Sequence, residues 1–254
     1  MIDGNTELIA HIGFPTHAFK APMIYNPWFE QAGVNAVVVP MACQASDYPN
    51  FLRALFKLGN LRGALITMPH KVSTTHLVDE LLPAALIAGA CNAVRLGPAG
   101  QLQGEMFDGE GFVRGLRNKG LKLQGASALV VGSGGVGSAI AASLAGAGLS
   151  RLALFDVQGS AATALSGRLA RHYPALAVST GSADPSGFDL VVNASPLGMN
   201  ESDAMPVDVS RLAPGSFVGE VVMKTEMTAF LQAAQARGCR VQVGSDMLFE
   251  QIGA

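Results

Sequence analysis

The chain reads as an α/β protein of two domains, with parallel strands buried on both faces. Three observations predict this class. Short apolar runs of strand length alternate along the chain with stretches whose apolar residues have helical spacing. The 254 residues are 49% hydrophobic and only 14% charged, enough apolar surface for a substantial core. A glycine cluster, Gly132-Ser133-Gly134-Gly135-Val136-Gly137, stands between an apolar run and an alanine-rich stretch, where a strand turns into a helix.

In order, Leu8–Gly13, Asn35–Met41 and Gly63–Met68 read as strands, with helices over Pro22–Ala32 and Tyr48–Leu58 between them. Cys91–Leu96 and Gln101–Met106, joined by Gly97-Pro98-Ala99-Gly100, read as a hairpin. A helix over Gly111–Lys119 leads into a second series. Its strands are Ala128–Gly132, Leu152–Asp156, Ala177–Thr180, Leu190–Ala194 and Phe217–Val222; its helices are Ser138–Ala147, Ser160–Arg171 and Met227–Arg237. Arg240–Gly244 reads as a last strand and Met247–Ile252 as the start of a helix. The domain boundary is expected near residues 107–125, giving a first domain over 1–106 and a second over 107–238, with 239–254 returning to the first.

The formal net charge of −2 gives no electrostatic reason to expect nucleic acid or an acidic membrane surface as a partner. Cys43, Cys91 and Cys239 are odd in number and far apart, without zinc or redox spacing, so no metal is expected and a reduced, cytoplasmic compartment is. The N-terminus is acidic and has no long apolar run, and no apolar stretch is long enough to span a membrane.

The glycine cluster carries the most specific local chemistry. Glycines at 132, 134, 135 and 137 permit the tight turn and let the backbone approach a pyrophosphate seated on the N–H groups that open the helix. The next strand ends in an acid, Asp156, at roughly the twenty-residue spacing of the dinucleotide fingerprint. A carboxylate there accepts hydrogen bonds from ribose hydroxyls and repels a 2′-phosphate, so NAD or NADP is expected and Asp156 favours NAD. Arg151 and Arg168 are the residues that would accommodate a phosphate instead. The second domain is therefore expected to be a doubly wound Rossmann domain.

A nicotinamide enzyme also needs a group that exchanges the proton of the reacting hydroxyl. Lys71 qualifies, placed just past the end of the strand in GALITMPHK, and Asp108 offers a carboxylate at the seam between the domains. Here the chain resembles the shikimate dehydrogenase family. Gly63–Lys71 resembles its G-x-N-V-T-x-P-x-K, and Gly13–Pro22 its N-terminal G-N-P-x-x-x-S-x-S-P loop. Gly89–Ala93 resembles its G-A-V-N-T, Gly104–Gly109 its G-x-N-T-D-G, Asn193–Met199 its N-A-T-x-x-G-M, and Met247–Gln251 its M-L-x-x-Q.

The resemblance implies an N-terminal α/β substrate-binding domain, a Rossmann domain and reversible hydride transfer between NAD(P) and shikimate or a close cyclic hydroxy acid. It implies Lys71 and Asp108 as the catalytic pair, and Thr67, Asn92 and Gln251 as residues bonding substrate hydroxyls. It places Asn193 and Ser195 beside the cofactor and the active site in a cleft between the domains.

The departures fall mostly on the substrate side. Phe19 and Ala21 replace two serines, Leu65 replaces an asparagine and Met223 a tyrosine. Thr16, His17 or Lys20 would then supply new donors, or the substrate differs. Quinate, an amino-substituted analogue and a non-catalytic dinucleotide-binding regulator remain the alternatives. A monomer or homodimer is expected, with a small-molecule partner. His70 is expected to be an exposed strand-end residue and Trp28, with Phe29, a core anchor of its helix; His11 has no motif around it.

Overall fold

The computed structural model describes residues 2–17 and 19–251. The chain forms two compact units, Met1–Met106 and Phe107–Ala254.

In the first unit, strands β1 (Glu7–Gly13), β2 (Ala36–Ala42) and β3 (Leu61–Ile66) lie parallel, with β1 in the middle. Helix α1 (Ala21–Ala32) joins β1 to β2, and α2 (Tyr48–Leu55) joins β2 to β3. A proline stands in the first turn of α1, where its missing N–H leaves no bond unmade, and Gly33 ends the helix at φ 68°. Strands β4 (Glu80–Leu81), β5 (Ala93–Leu96) and β6 (Leu102–Glu105) complete a mixed sheet of order β2-β1-β3-β5-β6-β4. The expected hairpin is present: β5 and β6 are antiparallel across the Gly97–Gly100 turn.

Two elements depart from expectation. The two-residue β4 and helix α3 (Pro83–Ala88) are too short for a periodic pattern to announce them. Trp28 does not anchor α1; it is 42% exposed and lies edge-on against Phe29, which takes the core position.

The second unit opens with α4 (Asp108–Asn118), which begins three residues earlier than expected because Asp108 and Glu110 suit the positive end of a helix. Strands β7 (Ser127–Val131), β8 (Arg151–Phe155), β9 (Ala177–Thr180), β10 (Leu190–Asn193), β11 (Phe217–Glu220) and β12 (Arg240–Gln242) are all parallel. Their order, β12-β11-β10-β7-β8-β9, is that of a doubly wound sheet. Helices α5 (Gly135–Gly146), α6 (Gly159–His172) and α7 (Ala229–Ala236) make connections between strands, and α8 (Gly244–Phe249) follows β12.

Leu129, Val131, Val191 and Val218 meet Phe230, Leu231 and Ala234 of α7 in one buried cluster. Each such large apolar side chain contributes about 1.5–3 kcal/mol on burial, so the sheet is a firm mount for the loops at its strand ends. The stretch from Cys239 onward, expected to turn back to the first unit, lies with the second: β12 pairs with β11 and α8 packs against α4. Ile252, the expected continuation of α8, lies outside the described residues.

Because β8 and β9 lie on one side of β7 and β10 on the other, the chain reverses its winding between β7 and β10. Ligands of open α/β sheets bind at the carboxyl ends of the strands at such a reversal.

Candidate active site

In the first unit the critical segment begins where β3 ends. The Thr67 N–H donates to the Ile12 carbonyl, the Met68–Pro69 peptide is cis, and the His70 N–H closes a turn onto the Thr67 carbonyl. The Lys71 carbonyl accepts from Cys91 N–H, and the Asn92 carbonyl accepts from Ile66 N–H at 2.7 Å. Those two backbone bonds set Thr67, half-buried Lys71 and buried Asn92 side by side at one end of the sheet.

His70 corrects expectation. It is 1% exposed because Tyr48 of α2 stacks on it, with ring centroids 3.9 Å apart. Its Nε2 lies 2.8 Å from the Cys43 carbonyl, which can only accept, so the proton is on Nε2. The Thr74 hydroxyl donates to the His70 carbonyl, leaving the Tyr48 hydroxyl to donate to Thr74 Oγ1 at 2.6 Å. His70 is thus a buried peg that fixes the loop presenting Lys71.

In the second unit Asp108, 5% exposed, stands at the first residue of α4, and Gln251 Nε2 donates to its Oδ1 at 3.3 Å. The fold therefore joins two sequence-predicted site residues from opposite ends of this unit.

The glycine loop occupies the carboxyl ends of β7, β8 and β10. Gly132 has φ 102° and its N–H donates to the Phe155 carbonyl. A Cβ on Gly137 would collide with the Gly132 carbonyl oxygen, and one on Gly134 would meet open space. Asp156 is more committed than expected: its Oδ2 accepts from Ser133 N–H at 2.7 Å and its Oδ1 from Gln158 N–H at 2.8 Å. Each oxygen keeps a lone pair for another donor.

Asn193 is fully buried; its Oδ1 accepts from the N–H and hydroxyl of Ser195 and its amide donates to the Leu197 carbonyl. It shapes the turn that lies against Gly132. Glu220, also fully buried, accepts from the same amide at 3.5 Å, and burial pushes its carboxyl up. Arg151, considered for a phosphate, sits instead at the start of β8, bonded to the Gly187 carbonyl and stacked on Phe188.

A dinucleotide fits this loop on the residues present. Ser133 Oγ is buried without a partner, Gly134 leaves space, and the first N–H groups of a twelve-residue helix, α5, follow at once. Among the described residues, no group of three or more His, Cys, Asp or Glu could hold a metal ion. None of the helices among them is long and apolar enough to cross a membrane.

Residues 12–94 match the model of the shikimate dehydrogenase substrate binding domain. The shikimate dehydrogenase (NADP(+)) of Rubrobacter xylanophilus is 36% identical over 254 residues, covering 98% of this chain and 89% of that protein. The chain belongs to the shikimate dehydrogenase family.

Among solved structures, shikimate 5-dehydrogenase from Listeria monocytogenes, in complex with shikimate and NAD, superposes with a TM-score of 0.91 at 25% identity, over 99% of this chain and 90% of that one. The 5-ketofructose reductase of a Gluconobacter strain gives a TM-score of 0.88 at 25% identity, over 97% and 90%. Within the segment matched to the family's substrate binding domain lie Thr67, Lys71 and Asn92, together with Phe19, Ala21 and Leu65, where this chain departs from the family pattern. Met223, the fourth departure, is 51% exposed.

Just before that segment, β1 carries a polar residue that sequence reasoning passed over. His11 is 7% exposed and its Nδ1 has no hydrogen-bond partner. Its signal in the sequence was faint: a histidine between Ala10 and Ile12 in a strand with apolar residues on both faces.

Proposed function

We propose that the protein is a shikimate dehydrogenase-like oxidoreductase. It interconverts a secondary alcohol and a ketone on shikimate/3-dehydroshikimate or a close cyclic hydroxy acid. The observation that carries the reading is the Gln251–Asp108 hydrogen bond, since an acid merely capping α4 needs no amide brought to it from the far end of the unit.

The Gly132–Gly137 loop would hold a nicotinamide dinucleotide, which would supply the hydride acceptor or donor for the carbinol carbon. Lys71 exchanges the hydroxyl proton: its neutral amine takes the proton in oxidation, and its ammonium returns it to the forming alkoxide in reduction. Asp108 is the carboxylate of the catalytic pair. Thr67, Asn92 and Gln251 hold ring hydroxyls.

The cofactor is NAD or NADP, and the Asp156 carboxylate favours NAD through its negative charge. It also ties the glycine loop to the end of β8, so its replacement would disturb either cofactor. The named relatives support both cofactors, one through NADP(+) and one through NAD. A second reading, quinate or an amino-substituted analogue as substrate, is favoured by the apolar side chains at Phe19, Ala21 and Leu65.

Lys71→Ala and Asp108→Ala test the reading. Each should lower kcat by orders of magnitude while the dissociation constant for the dinucleotide stays nearly unchanged. Turnover retained in both variants would sink it.

A further inference from the structure

On β1, the side chains of Ala10 and Ile12 are wholly in the core. Strand alternation therefore turns His11 to the opposite face, where register places it beside Leu65 of β3. Gly13, two residues on, is closely approached on that face: a Cβ there would stand 2.5 Å from Thr67 Cγ2, 2.7 Å from the Met68 carbonyl oxygen and 2.9 Å from Phe19 Cζ.

The Phe19 ring lies 4.1 Å from the imidazole, centroid to centroid. The two side chains placed directly beside the imidazole, Phe19 and Leu65, are apolar. His11 Nδ1 is nevertheless buried there with no partner. Buried ring nitrogens are rarely left unpaired in a folded protein, and each exception needs an explanation.

Resting on the ring-acid reading above, we infer that His11 is a substrate-specificity residue whose Nδ1 hydrogen-bonds an uncharged ring hydroxyl of the substrate. It shares its face of the sheet with Thr67, a residue proposed to hold substrate, and feels the charge of Lys71. Burial first, and the Lys71 ammonium second, hold its pKa down to about 4, so at neutral pH it presents an uncharged imidazole. An uncharged ring suits a hydroxyl, which can either donate or accept, better than a carboxylate. The side chains of Phe19 and Leu65 offer no hydrogen bond of their own, so between them the imidazole supplies the polar contact, beside Thr67.

The test uses the full-length enzyme with shikimate or quinate, whichever is oxidised faster, and with analogues of that acid each lacking one ring hydroxyl. His11→Val should lower kcat/KM about ten- to hundredfold, mainly through KM, with dinucleotide affinity unchanged. His11→Asn, which keeps a donor and an acceptor near the position of Nδ1, should retain activity within about threefold. For one deoxy analogue, wild type and His11→Val should be equal.

An unchanged kcat/KM in His11→Val overturns the inference and assigns Nδ1 to nothing beyond bound water. An equal loss on the parent acid and on every analogue marks a packing defect and overturns it too. A wild-type enzyme that oxidises neither acid with NAD or NADP overturns the reaction reading and this inference with it, whereas turnover independent of His11 overturns the inference alone.

Discussion

Replacing His11 by valine should alter how stability depends on pH, whatever the substrate. The imidazole is buried and faces the Lys71 ammonium, which together lower its pKa from 6.5 to about 4 in the folded chain. In the unfolded chain it returns to 6.5. As pH falls below 6.5 the unfolded state takes up a proton that the folded state refuses until pH reaches about 4. Stability is therefore present above pH 6.5 and is lost as pH falls through that window. At 1.36 kcal/mol per pH unit the whole interval is worth about 3 kcal/mol, of which about 2 kcal/mol falls between pH 7 and pH 5.

Glu105 and Glu220 act with the opposite sign. Burial raises both carboxyls, so their contribution to stability grows as pH falls. Comparing wild type with His11→Val cancels them. Urea unfolding of both proteins at pH 7 and pH 5 is the assay, and the valine variant should lose about 2 kcal/mol less than wild type over that span. Identical losses in the two proteins would refute the buried, uncharged state of His11.

Two further predictions rest on local geometry. Gly137→Ala drives a methyl group into the Gly132 carbonyl, so it should destabilise the second unit by about 1–3 kcal/mol and weaken dinucleotide binding, read by nicotinamide fluorescence; an unchanged dissociation constant would contradict the assigned cradle. Tyr48→Phe removes the buried hydroxyl that donates to Thr74 and should cost about 1 kcal/mol, or roughly 2–4 °C in Tm, read by thermal unfolding; no change would mean that the peg under the Lys71 loop does not depend on this bond.

The longer parallel strands of both sheets were legible because doubly buried parallel strands read as unbroken apolar runs, as in Leu190-Val191-Val192. The glycine loop was legible because its requirements are local: a strand, a tight turn and a helix start within one short stretch. What escaped was set by tertiary contact. The two residues of β4 are a strand only because β6 pairs with them. His70 reads as an exposed strand-end residue because the ring that covers it, Tyr48, arrives from helix α2. Asp156 was legible as an acid at a strand end, whereas its bond to Ser133 N–H follows from the fold bringing β8 beside the loop. His11 was invisible for the same reason: an unpaired nitrogen is a property of a folded environment, and no spacing in the sequence encodes it.

The central claim is that this chain carries out hydride transfer at a ring hydroxyl. Initial rates with shikimate and with quinate, each with NAD and with NADP, followed by the appearance of reduced nicotinamide, test it most directly. The account predicts cofactor reduction with at least one of the two acids, faster with NAD than with NADP, and its loss in Lys71→Ala. Tight dinucleotide binding with no reduction for any pairing would contradict it.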